Sequence, residues 1–168
     1  MKPCIFTGSA VAIVTPFRAG SIDFNAFDRL VERQIQGGTD AIVVCGTTGE
    51  AATLNYDERM ALIERCVRIV DRRVPVIAGS GTNNTASSVA LSKATQSAGV
   101  DALLTVTPYY NKASQNGLVR HFSAIADAVE IPLILYNVPS RTGVSCTAET
   151  YQKLAEHPNI AGVKEASD

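Results

Sequence analysis

The run Ile160-Ala161-Gly162-Val163-Lys164-Glu165-Ala166-Ser167 is apolar up to a single lysine and then turns polar. An ammonium at the rim of a parallel strand loses part of its water, which disfavours the charged form, and the neutral amine is a nucleophile that condenses with ketones to a Schiff base. On this run alone a second reading stands beside it, a strand-end lysine whose stem packs while its head reaches water. Other reactive or ligand-binding groups follow apolar runs in the same way. Gly46-Thr47-Thr48-Gly49-Glu50 follows Ala41 to Cys45, Thr107-Pro108-Tyr109-Tyr110-Asn111 follows Ala102 to Val106, and Asn137 to Gly143, with Arg141, follows a run that closes on Tyr136. Singly, Tyr136 reads as a strand-end tyrosine, Arg141 as a solvated loop arginine and Thr47-Thr48 as capping residues. Their recurrence at the end of one run after another points to a shared site.

These groups need elements to hold them. Ser9 to Val14 is a short strand closing at Thr15-Pro16, and after the turn residues Gly20-Ser21, Asn25 caps a helix whose Phe27, Leu30, Val31 and Ile35 recur at helical spacing up to Gly37-Gly38. Ala41 to Cys45 is apolar throughout, as a strand buried on both faces should be. Asn55 with Glu58 forms a capping box for the next helix, which carries Ile63, Cys66, Val67 and Val70. The pattern repeats through strands at 74–78, 102–106, 132–136 and 160–164, with helices at 85–98, around Leu118 to Val129, and at 147–156. Each repeat takes roughly 30 residues, the length of one βα unit.

Strict alternation predicts an α/β fold with a parallel sheet, either doubly wound or a (β/α)8 barrel. The doubly wound form would carry a glycine fingerprint after the first strand, where Thr15-Pro16-Phe17-Arg18 stands instead; Gly79-Ser80-Gly81 has Asn84 in place of a third glycine. The barrel is favoured because it gathers Thr15, Thr47, Thr48, Glu50, Ser80, Thr107, Tyr109, Tyr110, Tyr136, Asn137, Arg141 and Lys164 on one face. A complete barrel takes about 250 residues and eight strands. Six strands in 168 residues lead us to expect a partial (β/α)8 barrel domain over 1–168 that supplies the first six βα units, with the last strands and helices missing.

Composition limits the partners. With 46% apolar and 18% charged residues, net charge -1 and a pI near 6.1, the chain lacks the basic footprint of a nucleic-acid binder. It shows no opening basic-then-apolar segment and no apolar run long enough to span a membrane, so a cytoplasmic protein acting on small molecules is expected. Cys4, Cys45, Cys66 and Cys146 are scattered and His121 and His157 lie far apart, so neither a disulfide framework nor a metal site is expected.

Gly46-Thr47-Thr48-Gly49-Glu50, Thr105 to Asn111, Tyr136-Asn137-Val138-Pro139-Ser140-Arg141-Thr142-Gly143 and Gly162-Val163-Lys164-Glu165 together resemble the signature segments of the pyruvate-dependent class I aldolases of the dihydrodipicolinate synthase and N-acetylneuraminate lyase family. The likeness runs from about Phe6 to the last residue. It implies a (β/α)8 barrel, a lyase of lysine biosynthesis by the diaminopimelate route, and condensation of pyruvate with aspartate semialdehyde to 4-hydroxy-tetrahydrodipicolinate. By the same resemblance Lys164 forms the imine with pyruvate, and Tyr136 relays protons with Thr47 and with Tyr110, which is supplied across a subunit interface. Thr48 holds the pyruvate carboxylate and Arg141 the carboxylate of the second substrate. No cofactor or metal is implied beyond the covalent imine, and the assembly implied is a homotetramer built as a dimer of dimers. Members inhibited by lysine hold it at positions matching Asn83 and Tyr109, but with an acidic residue where this chain has Ser87, and some with a histidine where it has Tyr56. Two alternatives share the motifs: a truncated, non-catalytic member, and a sister sugar-acid aldolase, against which Arg141 and the Thr47-Thr48 pair speak.

Overall fold

A computed structural model of the chain describes residues 4–167. The elements are β1 (Ala10–Ala12), β2 (Phe17–Arg18), β3 (Ser21–Ile22), α1 (Phe24–Gln36), β4 (Ala41–Val44), α2 (Tyr56–Val70), β5 (Val76–Gly79), α3 (Thr85–Ser97), β6 (Ala102–Val106), α4 (Gln115–Asp127), β7 (Leu133–Asn137), α5 (Pro139–Thr142), α6 (Ala148–Ala155) and β8 (Ile160–Glu165). Six strands pair in parallel in the order β1-β4-β5-β6-β7-β8, while β2 and β3 form a separate antiparallel hairpin. No strand is skipped. Successive winding in one direction is the topology of a barrel arc, because a doubly wound sheet reverses its strand order at the switch point.

Strand alternation divides the interior into two cores. One face carries Ile42, Val44, Val76, Ala78, Leu103, Leu133 and Leu135, packed with helical side chains such as Phe27 and Val31 of α1, Leu62, Ile63 and Cys66 of α2, Leu118, Phe122 and Ile125 of α4, and Leu154 of α6. The other carries Ala41, Val43, Ile77, Ala102, Leu104 and Tyr136, with Ala10, Ala12, Val106 and Ile134 against them, and no residue of the six helices joins it. Helices therefore cover one face only. The opposite face is the concave lumen of a barrel. Each fully buried Leu, Ile or Phe contributes about 1.5–3 kcal/mol, so the helix-covered layer supplies most of the hydrophobic stabilisation.

Local signals are realised with two differences from the sequence reading. The Asn55–Glu58 capping box forms, with Glu58 N–H on Asn55 Oδ1 and Asn55 N–H on Glu58 Oε2, both at 2.9 Å. The cap of α1 is Asp23, whose Oδ1 accepts from Ala26 N–H at 2.9 Å, rather than Asn25, which lies inside the helix. The β2–β3 hairpin decides this: Asp23 N–H is bonded to the Pro16 carbonyl at 2.8 Å, which delivers its carboxylate to the helix start. The segment after β7, read as loop, holds the single turn α5, with Pro139 at its first position and Gly143 at φ 73° closing it.

Gly79-Ser80-Gly81 is a packing device. Cys45 follows β4 with φ 53°, which aims its carbonyl at the neighbouring strand; a Cβ on Gly79 would lie 1.9 Å from Cys45 O, and one on Gly81 2.6 Å from Val106 N. Both obstacles are backbone and cannot swing aside. Gly79→Ala is therefore expected to cost about 3 kcal/mol, the upper end for overpacking, whereas Gly162→Ala, whose Cβ meets nothing within 4 Å, should stay within about 0.5 kcal/mol. Denaturant midpoints of the two variants check this; equal midpoints would remove the close-approach explanation.

Candidate active site

Parallel pairing sets Tyr136 of β7 opposite Lys164 of β8, both on the lumen side. Lys164 Nζ lies 4.5 Å from the centroid of the Tyr136 ring, and among the described residues it has no carboxylate partner. The desolvation expected of this lysine is not delivered. Lys164 is exposed, because β8 has a neighbour on one side only among the described strands.

Two cavities meet at these side chains. One of about 460 Å³ is the lumen, lined by Ala10, Ala12, Val43, Ile77, Leu104, Ile134 and the 161–164 edge. The other, of about 390 Å³, opens at the strand C-termini and is lined by Cys45, Gly46, Thr47, Glu50, Arg59, Tyr109, Tyr136, Arg141 and neighbouring residues. Leu104 borders both, and the Tyr136 ring lines the second while facing Lys164. A chamber lined mostly by aliphatic side chains thus adjoins one that carries charged and hydroxyl side chains on an apolar floor, across one tyrosine.

The sequence-predicted residues divide accordingly. Thr47, Tyr136, Arg141 and Tyr109 share the polar cavity, while Thr48 stands exposed just outside its lining. The loop bearing the threonine pair is pinned by Thr15, whose hydroxyl donates to Gly49 O at 2.7 Å, and by turns in which Gly49 and Ala51 N–H meet Gly46 O. Among the described residues the Thr47 and Thr48 backbone N–H groups donate to no protein acceptor. Two such exposed amides beside hydroxyls can donate to a small anion. Arg141 rides on α5, which Thr142 secures by donating to Val144 O at 2.9 Å.

Tyr110 is not brought to Tyr136 within one chain. It is 88% exposed, with φ 76°, a backbone cost that a bulky residue bears only where the surroundings impose it. Asn83 follows Thr82, which lines a third cavity of about 350 Å³ together with Tyr56, Arg59 and Ser87; Asn83 is not among its lining residues, and Tyr109 faces the polar cavity instead. Ser80 and Thr107, expected on the rim, turn away from it. Both are buried, and Ser80 accepts from Ser92 Oγ at 2.9 Å on the helix side. Strand parity is the reason: Ile77 and Leu104 face the lumen, so Thr105 and Ser80 face the helices.

A polar group that the sequence reading passed over lies beside Lys164. The Glu165 carboxylate accepts from Asn137 Nδ2 at 2.8 Å, the Tyr151 hydroxyl at 2.7 Å, and the Ala166 and Ser167 N–H groups at 3.1 and 3.0 Å. Partial desolvation opposes ionisation, but the hydrogen bonds from Tyr151, Asn137 and Ser167 outweigh it and bring the carboxyl down to about 2. Burial and this same bond push the Tyr151 phenol up. The signal was faint: Tyr151 and Glu165 are fourteen positions apart and follow no recurring spacing. Cys45, although it lines the polar cavity, is pushed up to about 12 by burial, which removes it as a thiolate nucleophile.

Known proteins share both this architecture and this sequence. The model of the Dihydrodipicolinate synthetase family matches residues 5–168. The 4-hydroxy-tetrahydrodipicolinate synthase of Geobacter metallireducens is 58% identical over 163 residues, which is 97% of this chain and 56% of that protein. The solved structure of the chloride inhibited dihydrodipicolinate synthase from Acinetobacter baumannii, complexed with pyruvate, is 51% identical with TM-score 0.95, covering 98% of this chain and 56% of that one. A monomeric dihydrodipicolinate synthase variant is 44% identical with TM-score 0.94, covering 96% and 54%. The chain spans about half the length of the relatives it matches.

The Glu165 network predicts an acid limb in stability. A carboxyl at about 2 when folded, against an ordinary value of 4.5, contributes stability present above about pH 4.5 and lost as pH falls towards 2. Glu165→Gln should flatten the denaturant midpoint across that window, with the remaining slope carried by Asp28, Glu32 and Glu149, which are also lowered. An unchanged slope would show that the carboxylate is not held as described.

Proposed function

The chain belongs to the dihydrodipicolinate synthetase family, and on that premise we propose that its site runs Schiff-base condensation of pyruvate with aspartate semialdehyde to 4-hydroxy-tetrahydrodipicolinate. The observation that carries this reading is the Lys164 amine 4.5 Å over the Tyr136 ring, next to a cavity that also holds Thr47 and Arg141. Lys164 attacks the pyruvate ketone carbon, and its N–H proton passes to the oxygen to give a carbinolamine. Loss of that oxygen as water leaves a protonated imine, the electron sink that lets a methyl proton depart to form an enamine. The enamine carbon bonds to the aldehyde carbon of the second substrate, whose oxygen takes up a proton. The substrate's own amine then displaces Lys164 from the imine carbon and closes the ring.

Each neighbouring residue has a role matched to its chemistry. Tyr136 lies nearest the amine and moves protons for carbinolamine formation and breakdown; with Thr47 in the same cavity, the relay needs one more hydroxyl, and Tyr110 of a second copy supplies it. The strained, exposed Tyr110 supports that exchange and hence a homo-oligomer, proposed as a tetramer of two such dimers; the monomeric relative shows that this assembly is not universal among similar proteins. The free amides of Thr47 and Thr48 receive the pyruvate carboxylate, and the Arg141 fork receives the carboxylate of the aldehyde. The chemistry draws on no metal or organic cofactor. As for the effector positions, Ser87 offers no carboxylate to an ammonium, a loss of about 1.5–3 kcal/mol if the pair were buried. Lysine inhibition is accordingly proposed to be weak or absent.

One observation favours a second reading, in which this chain is non-catalytic by itself: Lys164 is exposed on a strand with one neighbour. Incubation with pyruvate followed by borohydride reduction and peptide mapping decides between them. A pyruvate adduct confined to Lys164 supports catalysis; an unlabelled chain that runs as an aggregate supports the second reading. Where labelling occurs, Tyr136→Phe should slow it by about 10²-fold or more, and Arg141→Ala should raise the aldehyde KM roughly 10- to 100-fold while leaving imine formation intact. Half-maximal inhibition by submillimolar lysine would sink the effector proposal.

A further inference from the structure

We propose that the Glu165 carboxylate is a positioning group for Lys164: held on the outer face of β8 by Asn137, Tyr151 and two backbone amides, it sets the direction in which Lys164 leaves the inner face. The inference rests on the reading of Lys164 as the Schiff-base lysine. Successive strand residues point to opposite faces, so a side chain fixed at 165 fixes the roll of the strand that aims 164.

Lys164 has little else to orient it. β8 pairs with β7 alone among the described strands, and its register shifts between Leu133 and Ile134, where Leu133 meets Ile160 but Ile134 meets Gly162. Such an irregularity bends the strand and increases its local twist, so the pairing upstream of it does not set the direction beyond it. Gly162, the next residue on the same face, meets nothing within 4 Å of the position a Cβ would take. Apart from the Tyr136 ring, packing does not steer the lysine.

The clamp on the other face is well made. Four donors converge on one carboxylate, from β7, α6 and the two residues after β8. Asn137 is 1% exposed and uses both amide N–H groups and its oxygen: Nδ2 also donates to Ser145 Oγ at 3.1 Å, and Oδ1 accepts from Cys146 N–H at 3.2 Å. The loop carrying Arg141 is thereby tied to the strand carrying Lys164 through one buried amide. Glutamine at 165 could keep the shape and most of these bonds, whereas alanine keeps none.

The test is single-turnover borohydride trapping at saturating pyruvate on the chain and its Glu165→Ala, Glu165→Gln and Tyr151→Phe variants, with amide exchange followed at 162–166. Glu165→Ala should lower the trapping rate about ten- to hundredfold, the range expected of a misplaced reacting group, with the half-saturating pyruvate concentration nearly unchanged and recovery in Glu165→Gln. Tyr151→Phe, which removes one bond and leaves the carboxylate, should give a smaller loss in the same direction and serves where the alanine variant does not fold. Faster amide exchange with an unchanged trapping rate would reduce the clamp to a strand fastener and overturn the proposal while leaving the lysine's role intact. A parent chain left unlabelled at Lys164 would overturn the reading of this chain as catalytic and this proposal together.

Discussion

The parallel pairing of β7 with β8 is the contact on which the site depends. It sets Tyr136 against Lys164 and, one residue on, Asn137 against Glu165. Because successive side chains face opposite ways, a single register places Tyr136 and Lys164 in the lumen and Asn137 and Glu165 outside. A slip by one residue would exchange the two and put the lysine among the helices. The register is protected by what each face buries: Leu133 and Leu135 in the helix-covered core, Ile134 and Tyr136 in the lumen.

The same division of faces runs through the whole sheet. Helices cover one side with large aliphatic and aromatic residues, and the lumen side is built from smaller ones, among them Ala10, Ala12, Ala41 and Ala102. Small residues low in the lumen and Tyr136 with Val106 towards the strand ends leave space where chemistry can occur. Close backbone approach tightens this end further. The Cys45 carbonyl rests over Gly79, and from there the chain turns into the loop that presents Thr47 and Thr48 with unoccupied amides.

Electrostatically the site is uneven. Arg59 and Arg141 line the polar cavity with Glu50 as its one acidic residue, and Lys164 stands unpaired over an aromatic face. Arg59 donates to the Ala51 carbonyl, whereas Arg141 and Lys164 have no carboxylate partner among the described residues. Glu165, the carboxylate nearest in sequence, is occupied by four donors on the far face of its strand.

The sequence by itself determined the βα alternation, the barrel class, the capping box at Asn55 and Glu58, and the residue types at the strand ends, because these rest on periodicity and on local hydrogen bonding. It was misled about α1, since the cap chosen depended on a hairpin of four paired residues too short to announce itself, and about Ser80 and Thr107, since position at a strand's end does not reveal which face a side chain takes. Only the tertiary structure decided that face, through the register of neighbouring strands. It alone showed that Gly79 and Gly81 serve close packing, that Lys164 is exposed rather than desolvated, and that Tyr151, Asn137 and Glu165 meet. These are contacts between residues distant in the chain, and no local pattern encodes them because their energy exists only once the sheet has formed.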